Sequence, residues 1–364
     1  MKKIIFYMPN IENGGIEKNL VIISNYLINK DYKIEIYYSS ISKEIFCQIN
    51  PKIILIKSKD YINFFFIRKR IINSFNCAIH LFFNVRKESA IVLSMQDHPL
   101  AIIATKIKNV ACITRIANHP EASIKFFNNF FFYKIKLYIK IIFYRFANGI
   151  ICNSNASRKF LKKKINNIRI INIFNPSPLY KHVKIINRKM QILSVGRLEK
   201  QKNFLGIVLA LNELKNTYPD LKLIIIGSGQ EKLKISKLSK DLGVIKMIQF
   251  KNFINPNKYF LNSKIFILNS FFEGLPNVLI EALNFKIPII STNCESGPKE
   301  ILKNGKYGFL IPVNNYSALS KKIIFLLTNY KLAQNKAFMG YKSLDRFNVK
   351  KQCYKYEKFL SSFV

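Results

Sequence analysis

The sequence predicts an α/β protein built from two doubly wound domains that face a cleft. Strand-length apolar runs alternate with helical patterns along most of the chain, which is typical of parallel sheets covered by helices. Several runs, such as LKLIIIG and KIFILNS, are continuously apolar, as strands buried on both faces are. At 364 residues the chain is long enough for two such domains, each with its own core.

The alternation runs through both halves of the sequence. In the first half, strands are expected near residues 2–8, 33–38, 53–56, 90–95, 110–116, 149–153 and 168–173. Helices are expected there near residues 15–29, 61–75, 98–108 and 125–147. In the second half, strands are expected near residues 190–196, 221–227, 247–253, 264–269, 287–292 and 308–312. Helices are expected there near residues 203–217, 231–242, 277–284 and 316–328.

The boundary between the two domains is expected in the segment NPSPLYKHVKIINRK. Pro176 and Pro178 would interrupt any helix or strand in this segment. We therefore divide the chain into two Rossmann-like domains and a C-terminal helix that packs back on the first domain. These three parts are residues 1–180, residues 181–345 and residues 346–364.

The composition is strongly basic. Lys and Arg number 59 against 20 acidic residues, a formal net charge of +39. Between Glu121 and Glu199 there is no acidic residue, whereas residues 122–198 carry 16 Lys or Arg. Such a one-signed stretch attracts anionic lipid or nucleic acid.

The cysteines and the N-terminus indicate a cytoplasmic protein. Six scattered cysteines without a CxxC pattern favour reduced thiols over disulfides or a zinc site. The N-terminal run MKKIIFYMPN is expected to be a buried strand rather than a signal peptide, because Asn10, Glu12 and Asn13 interrupt it too early. No uncharged apolar stretch in the sequence is long enough to span a bilayer.

Two glycine-containing loops could hold a diphosphate, because ligands of doubly wound sheets bind at the carboxyl ends of the strands. Gly14 and Gly15 precede the first helix, whose N-terminus offers N–H groups to an anion. The segment VGRLEKQKN places Arg197 and Lys202 after Gly196. Arg can bond a phosphate through two N–H groups and Lys can act as a point charge. The alternative is a tight turn for the first loop and a solvated basic loop for the second.

A third glycine turn, GSGQE, contains Gly227 and Gly229 and could line the same pocket or be a plain turn.

The segment FFEGLPNVLIEAL carries a more specific signal than the glycine turns. Its Pro276 suits the first turn of a helix, so the N–H groups of Asn277 and Val278 are expected at an anion site. Glu281 lies roughly 6–8 Å further along that helix at about 1.5 Å per residue, the distance from phosphates to ribose; an internal salt bridge is the alternative.

Together these segments resemble the retaining glycosyltransferases of the GT-B fold, family 4. The matching motifs are GGIEKNL, NIFNP, SVGRLEKQKN, IIGSGQE, SFFEGLPNVLIEAL and CESGPKEILKNGKYGFLIP. The fifth motif contains the E-x7-E pattern of the family, from Glu273 to Glu281. The resemblance covers nearly the whole chain and is strongest over residues 190–315.

The resemblance implies a role for each matched residue. Glu281 would bind the ribose hydroxyls, and Glu273 would bind hydroxyls of the donor sugar. Arg197 and Lys202 would neutralise the diphosphate, with help from backbone N–H groups at Gly15, Asn277 and Val278. The reaction would retain the anomeric configuration and need no metal or other cofactor. A UDP-linked hexose or N-acetylhexosamine is the expected donor, with GDP-mannose as the alternative.

The family often has a histidine near the sugar in the first domain. His98 in QDHP and His119 in ANHP both follow apolar strands. We take His119 as the candidate because it ends the run VACITRIANHP, although either could be an ordinary loop histidine.

The segment IKFFNNFFFYKIKLYIKIIFYRF, residues 124–146, mixes aromatic and basic side chains. Helices of this kind lie in a membrane interface, with aromatic rings at the headgroup boundary and cations on anionic lipid. The segment therefore predicts docking on the anionic inner face of the cytoplasmic membrane. Together with the resemblance, the expected partners are a nucleotide sugar, a lipid-linked or oligosaccharide acceptor and this membrane surface. A core helix whose lysines reach past apolar surface to water is the alternative.

Three alternative functions fit the sequence less well. A nucleotide-sugar epimerase can share this fold, but the ordered motifs favour transfer. A non-catalytic nucleic-acid-binding protein is suggested by charge alone, because no helix-turn-helix, RNP or zinc-finger pattern is present in the sequence. A dehydrogenase is disfavoured because no G-x-G-x-x-G follows the first strand.

Overall fold

The computed structural model describes residues 2–63, 66–86, 90–127, 130–180, 187–252 and 254–363. The chain divides into two compact units. Unit 1 consists of Met1–Pro176 together with Phe347–Val364, and unit 2 consists of Ser177–Arg346. Residues 181–186 and 364, where parts of the predicted domain bounds fall, lie outside the described residues.

Unit 1 is built on a parallel sheet. Its strands are β1 (Lys3–Tyr7), β2 (Asn10–Ile11), β3 (Lys33–Tyr38), β4 (Ser40–Ile41), β5 (Ile54–Lys57), β6 (Ala90–Ser94), β7 (Ala111–Ile116), β8 (Gly149–Cys152) and β9 (Arg169–Asn172). Seven of them form one sheet in the order β5-β3-β1-β6-β7-β8-β9, and β2 pairs with β4. The strands KIIFY and AIVLS are apolar at nearly every position because helices cover both faces of the sheet.

Helices pack on the two faces of this sheet. They are α1 (Gly15–Ile28), α2 (Lys43–Phe46), α3 (Lys69–Asn84), α4 (Pro99–Ile107), α5 (Pro120–Phe127), α6 (Phe130–Tyr144) and α7 (Asn155–Lys162). Leu20, Ile23 and Leu27 of α1 pack with one set of alternating strand residues, including Ile4 and Phe6. Helix α4 contacts both α3 and α6, and these three helices pack with the other set.

Unit 2 has a second parallel sheet. Its strands are β10 (Lys189–Val195), β11 (Lys222–Ile226), β12 (Ile248–Lys251), β13 (Ser263–Leu268), β14 (Ile289–Thr292) and β15 (Phe309–Ile311), in the order β12-β11-β10-β13-β14-β15. Its helices are α8 (Phe204–Leu214), α9 (Lys232–Asp241), α10 (Asn257–Asn262), α11 (Asn277–Asn284), α12 (Pro298–Ile301), α13 (Tyr316–Thr328) and α14 (Tyr330–Lys342). The predicted α/β class, with a doubly wound parallel sheet in each half, is confirmed.

The last helix, α15 (Val349–Ser361), belongs to unit 1. Its residues Cys353, Tyr356, Phe359 and Leu360 are buried in the same cluster as α1 and strand β1. The fully buried guanidinium of Arg115, on β7, donates from Nε to Tyr356 Oη at 3.0 Å. Its other nitrogens donate to Asn175 Oδ1 at 2.6 Å and to the carbonyl of Met95 at 3.4 Å. Arg115 therefore ties the C-terminal helix to the sheet.

One helix of unit 1 differs from the prediction. The helix expected over residues 61–75 is wrong in its bounds, because α3 begins at Lys69 and continues to Asn84. The residues that α3 buries include Cys77, Ala78 and Leu81, which all lie beyond the expected end of the helix. The prediction therefore placed the core-facing side of this helix too early in the sequence. The described parts of the helix expected over residues 125–147 are α5 and α6, and residues 128 and 129 between them lie outside the described part of the chain.

Within the part of the chain that the structure describes, none of the helices combines the length and the apolar character needed to cross a bilayer.

The contact between Arg115 and the C-terminal helix gives a stability prediction. Tyr356→Phe removes the acceptor of the Arg115 Nε–H and leaves a charged donor buried without it, which costs about 1.5–3 kcal/mol. We expect the free energy of unfolding in urea, followed by circular dichroism, to fall by that amount. Tyr354→Phe, at an exposed position of the same helix, is the matched control and should change it by less than about 0.5 kcal/mol. Equal effects of the two variants would contradict the role assigned to Arg115.

Candidate active site in unit 2

Four loops follow neighbouring strands of the unit 2 sheet at their carboxyl ends. They are residues 196–203 after β10, residues 227–231 after β11, residues 269–276 after β13 and residues 293–297 after β14. Because β11, β10, β13 and β14 are adjacent in the sheet, these loops lie side by side. They contain most of the predicted donor-binding residues.

The loops after β10 and β11 are joined backbone to backbone. The N–H of Leu198 donates to the carbonyl of Ser228 at 2.8 Å, and the N–H of Glu231 donates to the carbonyl of Leu198 at 2.9 Å. A Cβ on Gly227 would lie 1.9 Å from the carbonyl oxygen of Gly196, and both Gly227 and Gly229 have positive φ. Glycine is therefore required here by close packing of the two loops.

Buried side chains join the loops after β10 and β13. The N–H of Phe271 donates to the carbonyl of Gln201 at 2.9 Å, and Gln201 Nε2 donates to the carbonyl of Phe272 at 2.8 Å. Asn269 Nδ2 donates to the carbonyl of Asn203 at 3.0 Å. Asn203 is in the left-handed conformation and caps α8 by accepting from the N–H of Gly206. These contacts fix the position of the residue between them, Lys202.

Lys202 and Glu273 meet where these two loops touch. Nζ of Lys202 lies 2.6 Å from Oε1 of Glu273, and the same oxygen accepts from Ser270 Oγ at 2.6 Å. The side chains of Lys202 and Glu273 are only 15% and 6% exposed. The sequence predicts both residues as site residues but does not reveal that they pair. Ser270, three residues before Glu273, is a site residue that the sequence analysis missed.

The end of β14 and the loop after it are hydrogen-bonded to the loop after β13. Thr292 Oγ1 donates to the carbonyl of Ser270 at 2.6 Å, and Ser296 Oγ donates to the carbonyl of Gly274 at 2.8 Å. Burial raises the pKa of the Cys294 thiol to about 12, and the nearby charge of Glu273 adds to the effect. Among the described residues there is no group of three or more His, Cys, Asp or Glu arranged to hold a metal ion.

The remaining donor-site candidates of unit 2 line the same edge. Pro276 is the N-cap of α11, so Asn277 and Val278 occupy its first turn, where N–H groups need partners outside the helix. Glu281 is half-buried, whereas its neighbours Ile280 and Ala282 are buried. Glu281 therefore lies at the margin of the core rather than inside it.

Arg197 is exposed, next to Gly196 in the loop after β10. The structure thus brings one predicted cation, Lys202, into a defined contact and leaves the other at the surface.

In unit 1, Gly14 and Gly15 stand at the start of α1 as predicted, with Gly14 as the N-cap. A Cβ on Gly14 would lie 2.5 Å from Oε2 of Glu17, a buried residue in the first turn of the helix. The carboxylate of Glu17 therefore lies against Gly14, at the end of the helix that favours negative charge. A phosphate beside Gly14 would meet this carboxylate, so the geometry supports the loops of unit 2 more strongly as a phosphate site.

The two candidate histidines have different surroundings. The ring of His119 is buried, and its Nδ1 accepts from the N–H of Ala122 at 3.3 Å, at the start of α5. Desolvation lowers the pKa of His119. His98 follows β6 and packs edge-on against Tyr7, with ring centroids 5.5 Å apart. Desolvation lowers the pKa of His98 to about 4, so both rings are neutral at neutral pH.

Asp97, next to His98, connects this loop to α6. Its Oδ2 accepts from Tyr144 Oη at 2.6 Å and forms an ion pair with Lys140. Desolvation is the largest single effect and raises the pKa of Asp97, but the charge and hydrogen bond of Lys140, the hydrogen bond of Tyr144 and the charge of His98 together lower it below its usual value. Lys140, expected from the sequence to face lipid, is thus held by a carboxylate in the structure.

Known proteins match this chain in sequence and in fold. Residues 180–342 match the family model for glycosyl transferases group 1. An uncharacterized glycosyltransferase of Haemophilus influenzae is 29% identical over 348 residues, which cover 91% of this chain and 92% of that protein. The GalNAc-alpha-(1->4)-GalNAc-alpha-(1->3)-diNAcBac-PP-undecaprenol alpha-1,4-N-acetyl-D-galactosaminyltransferase of Campylobacter jejuni is 26% identical over 336 residues, 90% of each chain.

Among solved structures, HepE from Anabaena in complex with UDP and glucose matches with a TM-score of 0.82. The match covers 100% of both chains at 16% identity, so it bears on the fold. The fold and these matches together support a glycosyltransferase with the GT-B fold.

The Lys202–Glu273 pair gives a prediction that separates a buried ion pair from an exposed one. Lys202→Met leaves the buried Glu273 carboxylate without its cation, which costs about 3–5 kcal/mol. Lys234→Met breaks a lysine–glutamate pair of similar length, 2.7 Å to Glu231, but the Lys234 side chain is 70% exposed, so the cost should stay below about 1 kcal/mol. Urea unfolding at neutral pH measures both. Similar losses for the two variants would show that Glu273 does not depend on Lys202.

Proposed function

We propose that this protein is a retaining glycosyltransferase that moves a hexose or N-acetylhexosamine from a UDP-sugar to a sugar hydroxyl of a lipid-linked or surface-glycan acceptor. The observation that carries the proposal is the Lys202–Glu273 pair at the carboxyl ends of β10 and β13. It places a cation and a carboxylate side by side where ligands of doubly wound sheets bind. A diphosphate requires the cation, and sugar hydroxyls suit the carboxylate.

The pair can serve both ends of the donor. Both described contacts to Glu273 are made through Oε1, which leaves Oε2 to accept from a hydroxyl of the donor sugar. Lys202 Nζ has three N–H bonds, so it can bond a phosphate oxygen while it keeps Glu273 in place. Arg197, being exposed on the same loop, can swing onto the diphosphate from the solvent side.

The first turn of α11 supplies the rest of the donor site. N–H groups at Asn277 and Val278 and the positive end of the helix dipole favour the phosphates. Glu281, one turn further along and half-buried, is then positioned for the ribose hydroxyls. Negative charge that develops on the departing diphosphate would be stabilised by these fixed dipoles and by Lys202, so the residues that bind the donor also assist the leaving group.

Retention follows from the same arrangement in this proposal. With the diphosphate held on one face of the sugar, its own oxygen can take the proton of the acceptor hydroxyl as the bond to the anomeric carbon breaks. The new bond then forms on the face from which the diphosphate leaves. None of these steps calls for a metal ion, because Lys202, Arg197 and the helix N-terminus supply the positive charge.

The comparisons support the donor and acceptor classes. HepE was solved with UDP and glucose, and the Campylobacter relative is named for a sugar chain on undecaprenyl diphosphate. A UDP-sugar donor and a polyprenyl-diphosphate-linked glycan, as used for bacterial surface polysaccharides, are therefore the first substrates to test.

The ribose role of Glu281 gives a binding prediction. Calorimetry with UDP, GDP and their common sugar conjugates should reveal tight binding of UDP compounds by the wild type. Glu281→Ala should weaken that binding by about 1–3 kcal/mol, because two ribose hydroxyls lose their acceptor. The matched control is Asp220→Ala, which should leave binding unchanged. Asp220 is an exposed carboxylate just before β11, at the amino ends of the strands. If Glu281→Ala leaves UDP binding unchanged, the ribose role is contradicted and an internal salt bridge is the better explanation of Glu281.

The exposed face of α6 supports docking on the inner face of the cytoplasmic membrane. Leu137, Ile141 and Tyr144 turn one side of the helix into the core. The opposite side exposes apolar and cationic residues, which we name the α6 surface: Phe132, Lys134, Ile135, Lys136, Tyr138 and Ile139. A helix with one face in the protein and an aromatic, basic face outward suits a membrane interface.

Docking through this surface is tested by co-sedimentation with vesicles. We expect the wild type to prefer phosphatidylglycerol-containing vesicles over pure phosphatidylcholine, because the α6 surface is cationic. The double variant Tyr138→Ser, Ile139→Ser should lose most of the bound fraction. Tyr354→Ser, at an exposed position of α15, is the control. The proposal fails if the wild type shows no preference for anionic vesicles or if control and double variant behave alike.

A further inference from the structure

Unit 1 carries a second segment in which apolar and cationic side chains are exposed together. Residues 66–71, with the sequence FIRKRI, are exposed at every position. Phe66 has its whole side chain in solvent, with a relative exposure of 103%. We name these residues the 66–71 surface; its other members are Ile67, Arg68, Lys69, Arg70 and Ile71. Six consecutive exposed residues that include three large apolar side chains indicate an interaction site.

Hydrogen bonds hold the 66–71 surface at the carboxyl ends of the unit 1 strands. Its last three residues begin α3, whose first turns are hydrogen-bonded by residues of β1 and β2. Tyr7 Oη donates to the carbonyl of Ser74 at 3.0 Å, and Asn10 Nδ2 donates to the carbonyl of Arg70 at 3.2 Å. The charge of Arg70 also contributes to the lowered pKa of His98, which places it close to the loop after β6. The exposed side chains therefore stand beside the edge where ligands of such sheets bind.

The charges around the 66–71 surface indicate which kind of partner binds it. Residues 57–70 carry five Lys or Arg, and Asp60 is the only acidic residue between positions 45 and 87. A cationic rim around protruding apolar side chains is complementary to an anionic bilayer, which accepts apolar groups at its boundary and cations at its headgroups. An acidic protein would also satisfy the cations, but the side chain of Phe66 stands wholly in solvent, and a protruding apolar side chain suits the acyl boundary of a bilayer.

We propose that the 66–71 surface inserts Phe66 and Ile67 into the interface of an anionic lipid bilayer while Arg68, Lys69 and Arg70 lie among the headgroups. This inference rests on the proposed function in one respect, the lipid-linked acceptor. Contact at this position brings the membrane next to the loops that hold His98 and Asp97. The diphosphate of a lipid-linked acceptor would then leave the bilayer beside cations and beside the acceptor edge of the sheet.

The absence of tryptophan from the sequence makes the test direct. The full-length variants Phe66→Trp, Tyr138→Trp and Leu233→Trp each carry a single fluorescent reporter. Leu233 is the matched control because it is 82% exposed and lies between Lys232 and Lys234 on α9 in unit 2. Vesicles of phosphatidylglycerol in phosphatidylcholine should shift the emission of Phe66→Trp to the blue, and brominated acyl chains should quench it. The Leu233→Trp emission should not change.

The cations are tested separately. The triple variant Arg68→Gln, Lys69→Gln, Arg70→Gln should reduce the vesicle partition coefficient by on the order of 100-fold at low salt, as expected for three cations near an anionic surface. The matched triple variant on α9, Lys232→Gln, Lys234→Gln, Lys237→Gln, should leave it nearly unchanged.

The outcomes separate this inference from the proposals above. A blue shift for Tyr138→Trp without one for Phe66→Trp would overturn the role of the 66–71 surface while leaving docking through α6 intact. An equal shift with pure phosphatidylcholine, or equal losses in the two triple variants, would also overturn it. UDP binding by calorimetry does not involve vesicles, so it tests the transferase proposal independently of all these results.

Discussion

The ion pair between Lys202 and Glu273 is the interaction on which the site in unit 2 depends. Two charges that have lost most of their water each cost several kcal/mol, so they persist only with close geometry and further hydrogen bonds. The 2.6 Å contact and the hydrogen bond from Ser270 meet that condition. The pair joins the loops after β10 and β13, and in the function proposed above it fixes where a donor places its phosphates and its sugar.

The order of the strands creates this pair. Lys202 and Glu273 are 71 residues apart in the chain, and they meet because β10 and β13 are neighbours in a parallel sheet whose carboxyl ends share one edge. The loop after β11 packs on the loop after β10 only because Gly227 and Gly229 let two backbones approach closely. The glycines of GSGQE thus support the site by packing, whether or not they touch a ligand themselves.

The sequence predicts those parts of the molecule whose signals are local. Continuous apolar runs revealed the strands of both sheets, because a strand buried on both faces leaves no alternative pattern. The helix α14 was missed because it packs through small residues, Ala333, Ala337 and Gly340, which give no hydrophobic period. In the site, the motifs identified Lys202 and Glu273, but their pairing and the contribution of Ser270 depend on which strands become neighbours. The carboxylate of Glu17 beside Gly14 could not be foreseen either, because the conformation of a single side chain decides it.

The central claim is that Lys202 and Glu273 receive the diphosphate and the sugar of a nucleotide-sugar donor. A crystal structure of the protein with a UDP-sugar tests it most directly. We expect a diphosphate oxygen at about 3 Å from Lys202 Nζ, a sugar hydroxyl on Glu273 and the ribose hydroxyls on Glu281. A donor bound elsewhere, or bound with no phosphate or sugar contact to this pair, would contradict the claim.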